Sequence, residues 1–256
     1  MKIASTLAAL ALACAAAPSA AHDTWFEPLP NGSLALGTGN RFPVNEIAVD
    51  DKYFAKSGCV AVDGKARSLD KLRFTDKATL LRSKDRAASE PLTCFVQLQP
   101  FDIDLPPDKI EIYFKEIRPT EAALAAWADL KARGLPFREH YTKSARIDVG
   151  ADASTQPIGT AMDALRVSPR GALTVGSEAV FQVLRDGKPL PGFPVELINE
   201  RSPIGLWHRT DAEGRISAKL PLPGRWILRG VGLHLAANDA TRWESWFITY
   251  AFEVAR

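Results

Sequence analysis

The chain of 256 residues carries almost no net charge, 32 Lys and Arg standing against 30 Asp and Glu for a formal +2. A protein that grips nucleic acid by neutralising phosphates needs a basic excess, so no nucleic-acid partner is expected. There is no GxSxG, HExxH, GxGxxG or P-loop segment, which leaves serine hydrolase, zincin and nucleotide-binding readings without local support. Internal repeats and low-complexity tracts are also missing, the 17 glycines and 18 prolines being scattered. Beyond the first stretch no apolar run is long enough to span a bilayer, so no transmembrane helix is expected in the mature chain. Isolated acid pairs such as Asp102 and Asp104 read as a solvated strand edge or loop. Histidine is scarce, with four residues, and cysteine scarcer, with three.

What is present begins with an address. Met1-Lys2 supplies a short positive region, Ile3 to Ala17 is apolar and alanine-rich, and Pro18-Ser19-Ala20-Ala21 offers small residues for cleavage. This pattern is that of a secretory signal peptide over residues 1–21. Cleavage at Ala21-His22 keeps proline out of the −3 position and makes His22 the first residue of a periplasmic or secreted protein. Cys14 departs with the leader. Cys59 and Cys94 then remain, and in an oxidising compartment such a pair is expected to form a disulfide. Leu92, Cys94, Val96 and Leu98 alternate, so a strand there points Cys94 inward with its apolar neighbours.

Short apolar stretches punctuated by turn residues predict an all-β fold of two β-sandwich domains, the second Ig-like or transthyretin-like. The first domain covers residues 22–150 and carries a short helical insertion near residues 107–133. There Pro106-Pro107 opens one helix, Pro119 interrupts, and Thr120 caps a second that Gly134 ends. Residues 151–164, with Asp152, Ser154, Pro157 and Gly159, read as a linker. Residues 165–256 read as the second sandwich, with an Asp186-Gly187 hairpin turn and another turn at Thr210 to Gly214.

The informative residue is His22. A mature N-terminal histidine offers two nitrogens, its α-amine and its ring Nδ1, which together can chelate a transition metal. The amine, with an ordinary pKa of about 7.7–8.0, yields its proton easily to a competing cation. One more imidazole would complete a three-nitrogen site of the kind that suits copper(II) or nickel(II). Candidates for that place are His234, His208 and His140, and Asp23 can assist as an oxygen ligand. The stretch His22 to Pro28 is apolar and stiff, so the terminus is expected to be packed.

The start His22-Asp23-x-Trp25-Phe26-x-Pro28 resembles that of exported, nickel/cobalt-uptake-associated periplasmic proteins, a family whose central domain is of unknown function. Gly39-Asn40-Arg41-Phe42-Pro43, Glu139-x-Tyr141-Thr142-Lys143-x-Ala145, Gly187-Lys188-Pro189-Leu190, Thr210-Asp211-x-x-Gly214, Pro223-Gly224-x-Trp226 and Trp243-Glu244-Ser245 are similar to its later segments. The resemblance covers nearly the whole mature chain. It implies an exported two-part β protein with a transthyretin-like, carboxypeptidase-regulatory-like C-terminal half, linked to metal uptake. The family's leading histidine falls on His22 and a later one on His234, whereas His140 and His208 match nothing in the pattern.

Three function classes stay open at this point. One is a non-catalytic metal-binding protein that takes nickel, cobalt or copper, a divalent transition metal, and hands it to an inner-membrane metal importer. Another is a copper oxidase or mono-oxygenase built on a histidine brace. The third is a non-catalytic adhesion or carbohydrate-binding sandwich. Fold analogy does not separate them, because sandwiches host all three.

Overall fold

A computed structural model describes residues 22–84, 90–151 and 155–256. The expected leader and part of the expected linker, 152–154, lie outside the described residues. The first half runs β1 (Asp23–Pro28), β2 (Leu34–Gly39), β3 (Ile47–Ala48), β4 (Phe54–Ala61), β5 (Ala66–Arg67), β6 (Leu69–Phe74), β7 (Thr79–Ser83), β8 (Leu92–Leu98) and β9 (Phe101–Leu105). Helices α1 (Pro107–Ile117) and α2 (Glu121–Ala132) follow, then β10 (Phe137–Val149). The second half runs β11 (Met162–Ser168), β12 (Leu173–Thr174), β13 (Glu178–Arg185), β14 (Lys188–Pro189), β15 (Pro194–Asn199), β16 (Leu206–Arg209), β17 (Arg215–Lys219), β18 (Gly224–Ala236) and β19 (Asp239–Ala255).

Local signals place these elements much as expected. Pro107 opens α1, where its missing N–H costs nothing. The Thr120 side chain accepts from Ala123 N and caps α2. Asp186 and Gly187 both have positive φ, as a tight β13–β14 turn requires. One boundary moves: β11 starts at Met162, inside the stretch expected to be linker.

The fold is an all-β sandwich with a small helical insertion, and its strands form three sheets. The largest has ten strands in the order β16-β15-β18-β19-β10-β8-β4-β5, with β9 and β12 at its margins. It contains strands from both halves of the chain, so the two expected sandwiches share one sheet. The join is β10 against β19, in parallel from Arg138↔Arg242 to Ile147↔Ala251. A five-stranded sheet (β1-β2-β7-β6 with β3) and a four-stranded sheet (β11-β13-β14 with β17) complete the fold.

Side-chain alternation assigns the layers. Along β18 and β19 the odd-numbered residues Ile227, Val231, Phe247 and Ala251 join the cores beneath β1 and beneath the helices. The even-numbered residues Leu228, Ile248, Tyr250 and Phe252 join the core beneath the four-stranded sheet. The shared sheet is therefore covered on one face by the β1 sheet and helices and on the other by the C-terminal strands. Cys59 and Cys94 stand opposite one another on β4 and β8, with Cα atoms 4.0 Å apart, and are disulfide-bonded. Gly39, facing Asp23 across the β1–β2 ladder, has to be glycine. A Cβ there would press on the Val44 carbonyl and come within 2.9 Å of the Trp25 ring.

Candidate functional site

β1 carries His22 into the molecule. Its apolar residues Trp25 and Phe26 are almost wholly buried, and their burial fixes the strand against the shared sheet. The residues before them are buried as well, although they are polar: His22, Asp23 and Thr24. Each is held by a polar group from another strand. The Thr24 carbonyl accepts from Thr249 Oγ1 at 2.5 Å, and the Asp23 carboxylate accepts from Arg229 Nε. The His22 carbonyl accepts from Lys143 Nζ at 2.5 Å. The stretch from His22 to Phe26 is therefore buried against the rest of the fold.

The ring of His22 lies 3.0 Å, Nε2 to Oε2, from the Glu46 carboxylate. A carboxylate can only accept, so Nε2 carries the proton and in the neutral ring the lone pair is on Nδ1. Glu46 is itself positioned: its N–H donates to the Thr38 carbonyl at 2.8 Å, and Asn40 Nδ2 donates to its carboxylate at 3.3–3.4 Å.

A buried charge network lies beneath. Arg229 bridges Asp23 and Glu196 and also donates to the Glu116 carbonyl at 3.1 Å. Burial pushes the Glu116 carboxyl up from its ordinary value, Asp23 and Glu196 adding to the rise while Arg229 and His22 oppose it. Burial lowers Lys143 to about 8, against the pull of Asp23 and Glu139. Glu139 is pushed up by burial and accepts hydrogen bonds from Tyr113 at 2.7 Å and from Ser245. Asp23 Oδ1 is buried without a hydrogen-bond partner among the described residues.

The other three histidines are not brought to His22. Arg229 and Thr249, which hold β1, belong to the odd-numbered face of the shared sheet. His234 pairs with Glu244 across β18 and β19, on the even-numbered face, and stacks on Trp246 with ring centroids 4.6 Å apart. His140 pairs with Glu244 on the same face, its Nδ1 2.8 Å from Asp102. His208 pairs with Val195, which also faces the C-terminal core. Burial holds His208 and His234 below their ordinary pKa. His22 and His234 are thus separated by the thickness of the sheet, and the expected two-histidine site does not assemble. Parity along β18 is the reason: residue 234 is an odd number of positions from residue 229. Among the described residues no cluster of three or more His, Cys, Asp or Glu side chains is placed to hold a metal.

Sequence reasoning passed over Glu46, Lys143 and Arg229. The last two carried a readable signal, being charged residues at the inward parity of apolar strands: Lys143 alternates with Ala145 and Ile147, Arg229 with Ile227 and Val231. Glu46 lies in a loop and gave none. The tryptophans offer no open stacking platform: Trp25, Trp127, Trp226 and Trp243 are buried. Trp207 and Trp246 are covered by the Arg118 and Arg185 guanidinium groups.

The class defined so far is a β-sandwich protein with a small helical insertion, in which His22 is buried beside a network of charges. The family described as a domain of unknown function (DUF4198) matches residues 19–232, most of the chain, and the chain belongs to it. A search of curated proteins finds no match. No helix among the described residues is long and apolar enough to cross a membrane.

Proposed function

We propose that this protein is exported to the periplasm, loses residues 1–21, and binds a divalent transition metal (nickel, cobalt or copper) through the His22 α-amine and ring Nδ1, in support of metal uptake by an inner-membrane importer. The observation that carries the reading is the Glu46 carboxylate on His22 Nε2. Metal-bound histidines commonly donate their second ring N–H to a carboxylate, which sets the tautomer and raises the basicity of the ligating nitrogen. An amine and an imidazole from one residue form a nitrogen-rich pair suited to copper(II) or nickel(II). Asp23, whose Oδ1 is buried without a hydrogen-bond partner among the described residues, and Glu116, whose carboxyl interacts electrostatically with His22, are the candidate oxygen donors. His234 has no part in this site. The resemblance of the chain's start and later segments to the nickel/cobalt-uptake-associated proteins supports the same reading.

The chelate needs a free amine, which exists only after cleavage; in the precursor that nitrogen is an amide. Calorimetric titration with copper(II), nickel(II) and cobalt(II) should therefore separate protein beginning at His22 from the same protein with one extra leading methionine. The processed form should bind, the extended form should lose most of the affinity, and His22→Ala should lose as much. Glu46→Gln should weaken binding about 10–100-fold, while His234→Ala, His140→Ala and His208→Ala should leave it unchanged. Equal affinity in processed and extended protein would overturn the N-terminal chelate.

A further inference from the structure

A second site lies away from His22, where the shared sheet is interrupted. β10 follows the edge of β19 as far as Ile147↔Ala251, and β12 takes up the same edge at Leu173↔Val254. Between them Phe252 and Glu253 have no strand neighbour on that side among the described residues. A cavity of about 210 Å³ opens through this window, walled by Phe26, Phe42, Leu173, Trp226 and Phe252. Its walls come from both faces of the sheet, since Phe26 and Phe42 belong to the core under β1 while Trp226 and Phe252 belong to the C-terminal core.

One cation in the wall, Arg166, has no counter-charge among the described residues. Arg166 stands in β11 beside a bulge, nine-tenths buried. Its guanidinium donates to two backbone carbonyls, Gly171 at 2.9 Å and Ala151 at 2.8 Å. No carboxylate pairs with it among the described residues. The other inner charges are matched. Asp148 is met by Arg146 at 3.4 Å and by the hydroxyls of Thr93 and Tyr250 at 2.8 and 2.6 Å. Arg225 is met by Glu27 at 2.6 Å and Glu200 at 2.7 Å. Glu253, at the mouth, is exposed. A buried cation with only neutral acceptors is a costly arrangement that an anion would relieve.

We propose that this cavity binds a small apolar carboxylate, its ring or short chain among the aromatic walls and its carboxylate on Arg166. Size agrees with the assignment. An engineered apolar cavity of about 150 Å³ admits benzene, so this larger space takes a ring and the carboxylate it carries. The site is independent of the metal reading, because neither His22 nor Glu46 lines it.

The test uses benzoate as probe and benzamide as its neutral twin, titrated by calorimetry and ligand-observed NMR into processed protein with EDTA present, so that a carboxylate cannot bind through metal. Benzoate should bind, and benzamide about tenfold more weakly. Arg166→Gln should abolish that preference. Ala172→Trp, which fills the mouth from an exposed loop and leaves the buried guanidinium in place, should remove binding of both and keeps the test decisive if Arg166→Gln does not fold. No benzoate binding by the unmodified protein, equal binding of the two probes, or binding that survives Ala172→Trp would each overturn the proposal.

Discussion

Lys143 offers the sharpest test of the buried charges around His22. Its ammonium is fully buried, donates to the His22 carbonyl, and is held at about 8 instead of the ordinary 10.5. At about 1.36 kcal/mol per pH unit, that difference amounts to roughly 3 kcal/mol charged against folding at neutral pH. The sign follows from proton counting. Between about pH 8 and 10.5 the unfolded chain still binds this proton and the folded chain does not, so the Lys143 contribution makes stability rise with pH across that window. Below about pH 8 both states are protonated and the penalty is constant. Replacing the lysine by methionine deletes the titration and leaves a fixed cost for the bare His22 carbonyl. Urea unfolding of the wild type and of Lys143→Met, at intervals from pH 7 to 10.5, isolates the lysine because every other titrating group is common to both. The wild-type free energy minus that of the variant should climb by about 3 kcal/mol over the upper part of that range. A flat difference would show that the Lys143 ammonium is solvated or fully compensated by Asp23 and Glu139, and would refute its lowered titration.

Two further outcomes follow from the same structure. The Cys59–Cys94 bond closes a loop of sequence separation 35, so its removal in a Cys59→Ala/Cys94→Ala double variant should cost about 4 kcal/mol by chain entropy; denaturant unfolding of the variant measures it, and a loss under about 1 kcal/mol would contradict the estimate. Asp23→Ala strips Arg229 of one of its two carboxylates in a buried network and should destabilise by about 3–5 kcal/mol, read in the same way, while Asp23→Asn, which keeps a side-chain acceptor, should cost less.

The buried start of β1 and the cavity have a common structural origin in the parallel join of β10 to β19. That pairing brings Lys143 level with Phe247 and so beneath β1, where Arg229 and Thr249 supply the other anchors. Further along the same edge, the exit of β10 and the entry of β12 open the window that Arg166 lines. Variants at Ala172 and at Glu46 should therefore be separable, each altering one site and sparing the other.

Much of the local structure was determined by the sequence alone. Proline at Pro107, a capping Thr120, positive-φ chemistry at Asp186-Gly187 and two-residue alternation each act over a few residues, so helices, turns and strands could be read directly. Beyond Cys14 in the leader-like stretch the sequence has two cysteines, which allow one intramolecular pairing, and the Cys59–Cys94 bond is what the fold contains. Alternation also showed which residues of a strand share a face. It could not show which layer that face would meet, because that depends on pairings between segments a hundred residues apart. For this reason His22 and His234 could be singled out as metal ligands, yet only the tertiary structure revealed that a sheet lies between them. The partners of His22 were decided in the same way: Glu46 comes from a loop 24 residues on, Lys143 from a strand 121 residues on, and the burial that lowers Lys143 exists only once β1 has packed across the shared sheet.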